Sequence, residues 1–255
     1  MIRLHRSFFK APLAHRALHD VADGRPENSR VAVQAALDHG YGIEIDLQLS
    51  RDGEAMVFHD YDLDRLTSKC GLVLEHDAAE LSQIPLKGGS DGIPTLSELL
   101  TLVAGCAPML IELKDQHGQM GMTDGRLEKA TARALQGYKG AVGLMSFNPE
   151  MVALLAELVP DVPRGLVTSP YREKNWPELD EPVRERLRDI PDYDRTGASF
   201  ISHQADDLLR PRVAELKTKG ADVFCWTIRT AQQEALARQV ADNVTFEGYL
   251  AEIPA

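Results

Sequence analysis

Cysteine is scarce in this 255-residue chain, and the three present, Cys70, Cys106 and Cys225, form no close pair. That excludes a disulfide framework or a cysteine-based metal site and fits a reducing compartment. No run of about 18 uninterrupted apolar residues occurs, and the opening stretch MIRLHRSFFKAPLAHRAL is broken by His5, Arg6, Lys10 and Pro12. Neither a membrane span nor a signal peptide is expected, so the expected address is cytoplasmic, without stable membrane association. Positive charge is also short: 28 Lys and Arg stand against 39 Asp and Glu, a net charge of −11. Such a chain repels phosphate backbones and acidic lipid, so nucleic acid is not an expected partner. A phosphate ester would have to be attracted locally, by a metal ion and a few placed Arg or Lys side chains. Gly-rich dinucleotide and P-loop motifs are missing, as are heptads and low-complexity tracts.

What is present is an α/β rhythm in a chain that is 44% apolar and 26% charged, enough to bury one full core, so residues 1–255 are expected to form a single domain. PENSRVAVQAALDHG reads as a helix capped by Asn28 or Ser29 and ended by Gly40. Thr95 and Glu98 make a capping box before LLTLVAG, and Pro108 to Lys114 reads as the next strand. Helices are expected at Arg126 to Gln136, Pro149 to Val159, Arg210 to Lys219 and Ala231 to Ala241. Strands are expected at Ala141 to Ser146, Pro163 to Val167, Ala198 to His203, Asp222 to Ile228 and Val244 to Phe246.

With a short run at Leu13-Ala14 and a hairpin spanning Ile43 to His59, this gives nine candidate strands. One hairpin arm must run antiparallel, because a parallel neighbour needs a crossover of a dozen or more residues. The other eight suit a closed, TIM-type (β/α)8 barrel, with the return arm as a rim ribbon or in one wall position. An open doubly wound sheet is the runner-up. Residues 61–93 and 169–196 break the rhythm. Both are expected to cover the barrel mouth, the first as an insertion after the second-strand hairpin.

The hairpin GIEIDLQLSRDGEAMVFHD organises the rest. If Asp52-Gly53 is a two-residue turn, Arg51 pairs with Glu54 and Asp46 falls opposite His59, with Glu44 one pleat along on the same face. Chemistry in such a barrel belongs at the strand C-termini. There the sequence places His15-Arg16, Glu44-x-Asp46 and Glu112-x-Lys114. Three carboxylates, Glu44, Asp46 and Glu112, suit a hard divalent cation, Mg2+ or Ca2+, better than zinc. His15 and His59 suit a general base and general acid on opposite sides of a phosphoryl centre, with Arg16 and Lys114 binding its oxygens.

The ordered set AHRA from Ala14, PENS from Pro26, EIDLQLSRDGEAMVFHD from Glu44, IPTLSELL from Ile93, IELK from Ile111, SFNPE from Ser146 and CWTIR from Cys225 resembles the glycerophosphodiester phosphodiesterase family over essentially the whole chain. The resemblance implies a TIM-type barrel that uses a divalent metal ion to hydrolyse a small-molecule glycerophosphodiester to glycerol 3-phosphate and an alcohol. By matching position it implies Glu44, Asp46 and Glu112 as metal ligands and His15 and His59 as the acid/base pair. Arg16 and Lys114 would hold the phosphate, and Glu27, Asn28 and Trp226 would line or support the substrate site. The alternative enzyme reading is a lysophospholipase D or a cyclising phospholipase, and the non-enzyme reading is a phosphodiester-binding paralogue.

Three departures stand out. Ala17 replaces the glycine after His-Arg, adding a Cβ at a position suited to close backbone approach or an unusual φ. Arg229 stands where Asn is frequent, and Glu247 in TFEGY is displaced by one position, so no role is assigned to it. His19 reads as a surface histidine, and the sequon Asn243-Val-Thr245 as chance.

Overall fold

The computed structural model describes residues 2–254. Eight parallel strands close into a barrel: β1 (Leu13–Ala14), β2 (Gly42–Leu49), β4 (Met109–Leu113), β5 (Val142–Ser146), β6 (Arg164–Thr168), β7 (Phe200–Gln204), β8 (Asp222–Ile228) and β9 (Asn243–Phe246). Closure falls on β1, where Leu13 pairs with Gly42 on one side and Thr245 on the other. The hairpin return arm β3 (Ala55–Val57) runs antiparallel to β2 and stays outside the wall. The open-sheet alternative is thereby excluded.

Among the described residues eight α-helices accompany the strands: α1 (Arg30–Asp38), α2 (Ala78–Leu81), α3 (Leu96–Val103), α4 (Arg126–Ala134), α5 (Pro149–Leu158), α6 (Glu181–Arg188), α7 (Pro211–Thr218) and α8 (Ala231–Ala237). Their ends follow local chemistry. Ser29 caps α1 through its hydroxyl, which accepts from the Ala32 N–H, and Thr95 and Glu98 form the expected reciprocal box at α3. The sequence-expected boundaries hold to within two residues except at α8, whose last expected turn loosens after Ala237.

Strand alternation sorts the core into two layers. Ile43, Ile45, Leu47 and Leu49 of β2 and Met109, Ile111 and Leu113 of β4 join the cluster shared with the surrounding helices. The residues between them face inward. Below the rim that interior is apolar, filled by Phe8, Leu13, Leu110, Phe200 and Phe224, with Met145 and Val167 above them at the floor of the rim. Space there is tight: a Cβ on Gly165 would lie 2.4 Å from the Phe200 ring, so only glycine lets these side chains fill the lumen. Burying each large apolar side chain contributes about 1.5–3 kcal/mol. This plug confines polar inward-facing groups to the upper rim.

The hairpin differs from expectation by one residue. Leu47 pairs with Val57 and Leu49 with Ala55, so Asp46 lies opposite Phe58 rather than His59. The connection holds three residues, Arg51 to Gly53, because Ser50 and Glu54 close it (Ser50 N to Glu54 O, 3.0 Å) and Gly53 takes φ +89°. A three-residue loop ending in a left-handed glycine is the next most common hairpin solution. Phe58, fully buried, belongs to a satellite core with Met56, Leu63, Leu81, Leu86 and Ile93 that holds the 61–93 insertion together. His59 leaves the ladder beyond it.

Candidate active site

The upper rim gathers the polar groups that the plugged interior excludes lower down. Glu44 and Asp46 on β2 and Glu112 on β4 are all buried, and one oxygen from each lies within 4.8 Å of the others. Register brings them together, since Asp46 pairs with Glu112 across the parallel β2–β4 ladder. Lys114 follows β4 and bridges two of the three, with Nζ 2.7 Å from Asp46 Oδ1 and 2.6 Å from Glu112 Oε1. Glu44 accepts the Arg16 backbone N–H at 2.9 Å.

These placements push the two acids of β2 in opposite directions. Burial, and then the charges of Asp46 and Glu112, raise Glu44 well above the usual carboxylate range. Burial works the same way on Asp46, yet the Lys114 ammonium, His59 and Arg16 together hold it well below that range. Lys114 is itself held above its ordinary value: burial opposes this, and the charges of Asp46 and Glu112 outweigh it. One ammonium therefore does not neutralise three buried carboxylates, and Glu44 is left as a carboxylate whose ionisation calls for another cation. An all-oxygen set of three is the donor chemistry of Mg2+ or Ca2+, so the residues fit a hard divalent ion.

Two imidazoles flank the trio. His15 follows β1, and its Nδ1 donates to Glu247 Oε2 at 2.5 Å. Burial pushes its pKa down, against the upward pull of that hydrogen bond. His59 donates from Nδ1 to Asp60 Oδ1 at 2.7 Å. A carboxylate partner on Nδ1 favours the tautomer protonated there, which leaves the lone pair on the other nitrogen of each ring. His15, Arg16, Glu44, His59, Glu112, Lys114 and Trp226 line one cavity of about 170 Å³, with Phe147 on its wall.

Of the remaining sequence-expected residues, Asn28 and Glu27 support this cavity from behind, and Trp226 lines it. Asn28, in a left-handed conformation (φ 58°), donates from Nδ2 to Asp46 Oδ2 at 2.9 Å. Glu27 accepts from Arg16 Nη1 at 2.7 Å and from Arg65 Nη1 at 2.8 Å. Trp226 is fixed by its indole N–H, which donates to the Ser202 carbonyl at 3.0 Å.

Sequence reasoning missed three participants. Glu247 supports His15 and is anchored by Arg229 Nη2 at 2.7 Å on its other oxygen. It lies just beyond β9, the strand that pairs with β1 at closure, and 232 positions from His15 in sequence, so only the end of a barrel strand marked it. Arg65 links Glu27 to Asp60 from within the insertion. His19 lies 3.6 Å from Glu247 Oε2, beside the cavity rather than on an open surface. Asn243, by contrast, is buried and donates to the Phe8 and Ala11 carbonyls, so its sequon is structural.

A plugged eight-stranded parallel barrel with ionisable groups concentrated at its strand C-termini is the build of a TIM-type enzyme. Comparison with known proteins specifies which kind. Residues 15–245 match the glycerophosphoryl diester phosphodiesterase family, and the chain belongs to that family of phosphodiester hydrolases. YhdW of Bacillus subtilis, provisionally named a glycerophosphodiester phosphodiesterase, is 27% identical over 234 residues, 88% of each chain. The glycerophosphodiester phosphodiesterase of Caldanaerobacter subterraneus is 29% identical over 230 residues, covering 86% of this chain and 87% of that one. Among solved structures, an Oleispira antarctica phosphodiesterase in complex with sn-glycerol-3-phosphate superposes with a TM-score of 0.74 at 23% identity, covering 94% of both chains.

Proposed function

We propose that this barrel hydrolyses small-molecule glycerophosphodiesters to glycerol 3-phosphate and an alcohol by metal-dependent acid/base catalysis. The observation that carries the reading is the convergence of His15 and His59 with Glu44 and Glu112 on one cavity. Glu44, Asp46 and Glu112 would hold Mg2+ or Ca2+, which when bound supplies charge to offset the negative charge that builds on phosphorus-bound oxygens.

The chain's own groups do the rest. Arg16 Nε is buried, 3.6 Å from Asp46 Oδ2, and has no hydrogen-bond partner among the described residues, which leaves it for a phosphate oxygen. Lys114 stands between Asp46 and Glu112, near enough to share a second phosphate oxygen. Glu27 and Asn28 hold Arg16 and Asp46 in place, and Trp226 walls the substrate side. The neutral histidine takes the proton of the attacking group and the protonated one returns a proton to the leaving alcohol. Hydrogen bonds to Glu247 and Asp60 fix both rings for that exchange.

We read residues 1–255 as one domain, with 61–93 as a rim insertion, acting in the cytoplasm without a nucleic-acid partner. Net charge of −11 supports the last point, and free Cys70, Cys106 and Cys225 support a reducing compartment. No helix among the described residues is long and apolar enough to cross a membrane.

Product analysis with glycerophosphocholine, glycerophosphoethanolamine and lysophosphatidylcholine, each with Mg2+, Ca2+ or EDTA, tests the reading. Glycerol 3-phosphate should appear from the first two, and EDTA should stop it. His15→Ala and His59→Ala should each lower turnover by about 10²–10⁴-fold with the fold retained. Wild-type rates in either variant under metal-limited conditions would overturn that residue's role.

A further inference from the structure

Beside the carboxylate trio a second set of ligand-type side chains meets at the seam between β1 and β9. His15, His19 and Glu247 each offer one donor atom, and those atoms lie within 4.8 Å of one another. The arrangement depends on an unusual turn: Arg16 (φ 54°) and Ala17 (φ 64°) are both left-handed, which folds His19 back toward the end of β9. His19 Nε2 ends 3.6 Å from Glu247 Oε2, too far for a hydrogen bond. That nitrogen is buried and has no hydrogen-bond partner among the described residues. A buried nitrogen with no partner is destabilising and asks for a ligand. On its far side Glu247 is held through Oε1 by Arg229, so that Oε2 is the oxygen turned to the two imidazoles.

We propose that His15, His19 and Glu247 form a binding site for a borderline transition metal of the Zn2+ type, separate from the all-oxygen trio. Two imidazoles and one carboxylate are a donor set that Zn2+ takes in tetrahedral geometry, leaving a fourth position for water. Mg2+ and Ca2+ prefer oxygen donors, so the two sets sort hard from borderline ions. Bonds of about 2.0–2.1 Å place tetrahedral donors roughly 3.3 Å apart. The 3.6 Å between His19 Nε2 and Glu247 Oε2 is close to that spacing. The 2.5 Å between His15 Nδ1 and Glu247 Oε2 spans a shared proton and must open when the metal replaces it, the proton passing to solvent. Arg229 opposes a dication, but its side chain is 60% exposed and its charge is screened by water.

A consequence for activity rests on the acid/base role proposed for His15. Metal on Nδ1 would withdraw the imidazole from proton exchange, so Zn2+ would inhibit.

The test uses the full chain with Mg2+ in excess to occupy the carboxylate trio. Zn2+ is titrated by calorimetry, and zinc-edge X-ray absorption counts its imidazole ligands. One Zn2+ per chain with two imidazoles is expected. His19→Ala and His19→Gln should each weaken it by at least about tenfold, and His19→Cys, which supplies another zinc ligand, should restore most of the affinity. Circular dichroism and the thermal midpoint establish that each variant is folded, and His19→Gln decides the matter should His19→Ala fail to fold. Zinc without imidazole ligands, or binding unchanged in the folded His19 variants, overturns the site. Zinc held by two imidazoles with turnover unaffected supports the site and overturns the role of His15 instead.

Discussion

Arg65 grips the Asp60 carboxylate with two hydrogen bonds, from Nε at 2.6 Å and from Nη2 at 2.8 Å. Asp60 is the partner of His59, and Arg65 also donates to both oxygens of Glu27, the carboxylate behind Arg16. One guanidinium from the insertion thus orients an imidazole and, through Glu27, an arginine of the same cavity. Arg65→Ala should lower kcat/KM by about 10–100-fold, the range for partners that orient active groups, with Arg65→Lys recovering part of the loss. Steady-state kinetics on glycerophosphocholine check this, alongside a thermal melt to establish that the barrel persists.

Glu112→Gln should weaken Mg2+ affinity by about tenfold or more, because a neutral amide replaces one of three anionic donors. It also replaces one of the two charged partners of Lys114 with a neutral one, leaving Asp46 as its remaining counter-ion. Metal-dependent activation curves measure the effect as a rightward shift, with a thermal melt to establish that the variant is folded.

His15 and His203 should each make a contribution to stability that falls as pH drops below about 6.5. Burial, outweighing the pull of Glu247 on His15 and of Asp207 on His203, holds both histidines below the ordinary value of 6.5. In the window from 6.5 down to their folded values the unfolded chain binds protons that the folded chain does not. Unfolding is therefore favoured as pH falls through it, and stability is regained as pH rises. His203, packed between Thr168 and Asp207, lies off the catalytic cavity. Urea midpoints at several pH values should show the slope in wild type and a shallower one in His203→Gln.

Ala17→Gly should raise stability by up to about 1 kcal/mol. The left-handed φ of 64° penalises any Cβ, and glycine removes the penalty while adding some freedom to the unfolded chain. Urea denaturation compares the two, with turnover expected to be retained.

Most of the barrel was legible because its strands and helices are separated by strong local signals. Thr95 with Glu98 and Pro149 behind Asn148 announce helix starts without any tertiary knowledge. Glu44, Asp46 and Glu112 were legible for a different reason: acidic residues inside apolar strands have no place in a packed core. The hairpin register was not, because Asp-Gly serves two-residue and three-residue loops alike and the choice rests on where Arg51 packs, here against Asp77 and Glu75 of the insertion. His59 reached the cavity despite the slip, since it lies past the end of β3, where strand alternation no longer dictates its side. Glu247 and Arg65 stayed hidden because nothing local sets them apart from other surface charges, and their partners are distant in the chain.

The seam at β1 has a practical consequence. His15 leans on a side chain contributed by the last strand's exit, so an incompletely synthesised or trimmed polypeptide lacking residues past 246 would keep every barrel strand yet lose the carboxylate that orients this imidazole. Under the function proposed above, turnover is then a reporter of this brace: a ring with all its staves but without Glu247 would retain bulk helicity in spectroscopy and yet turn over poorly.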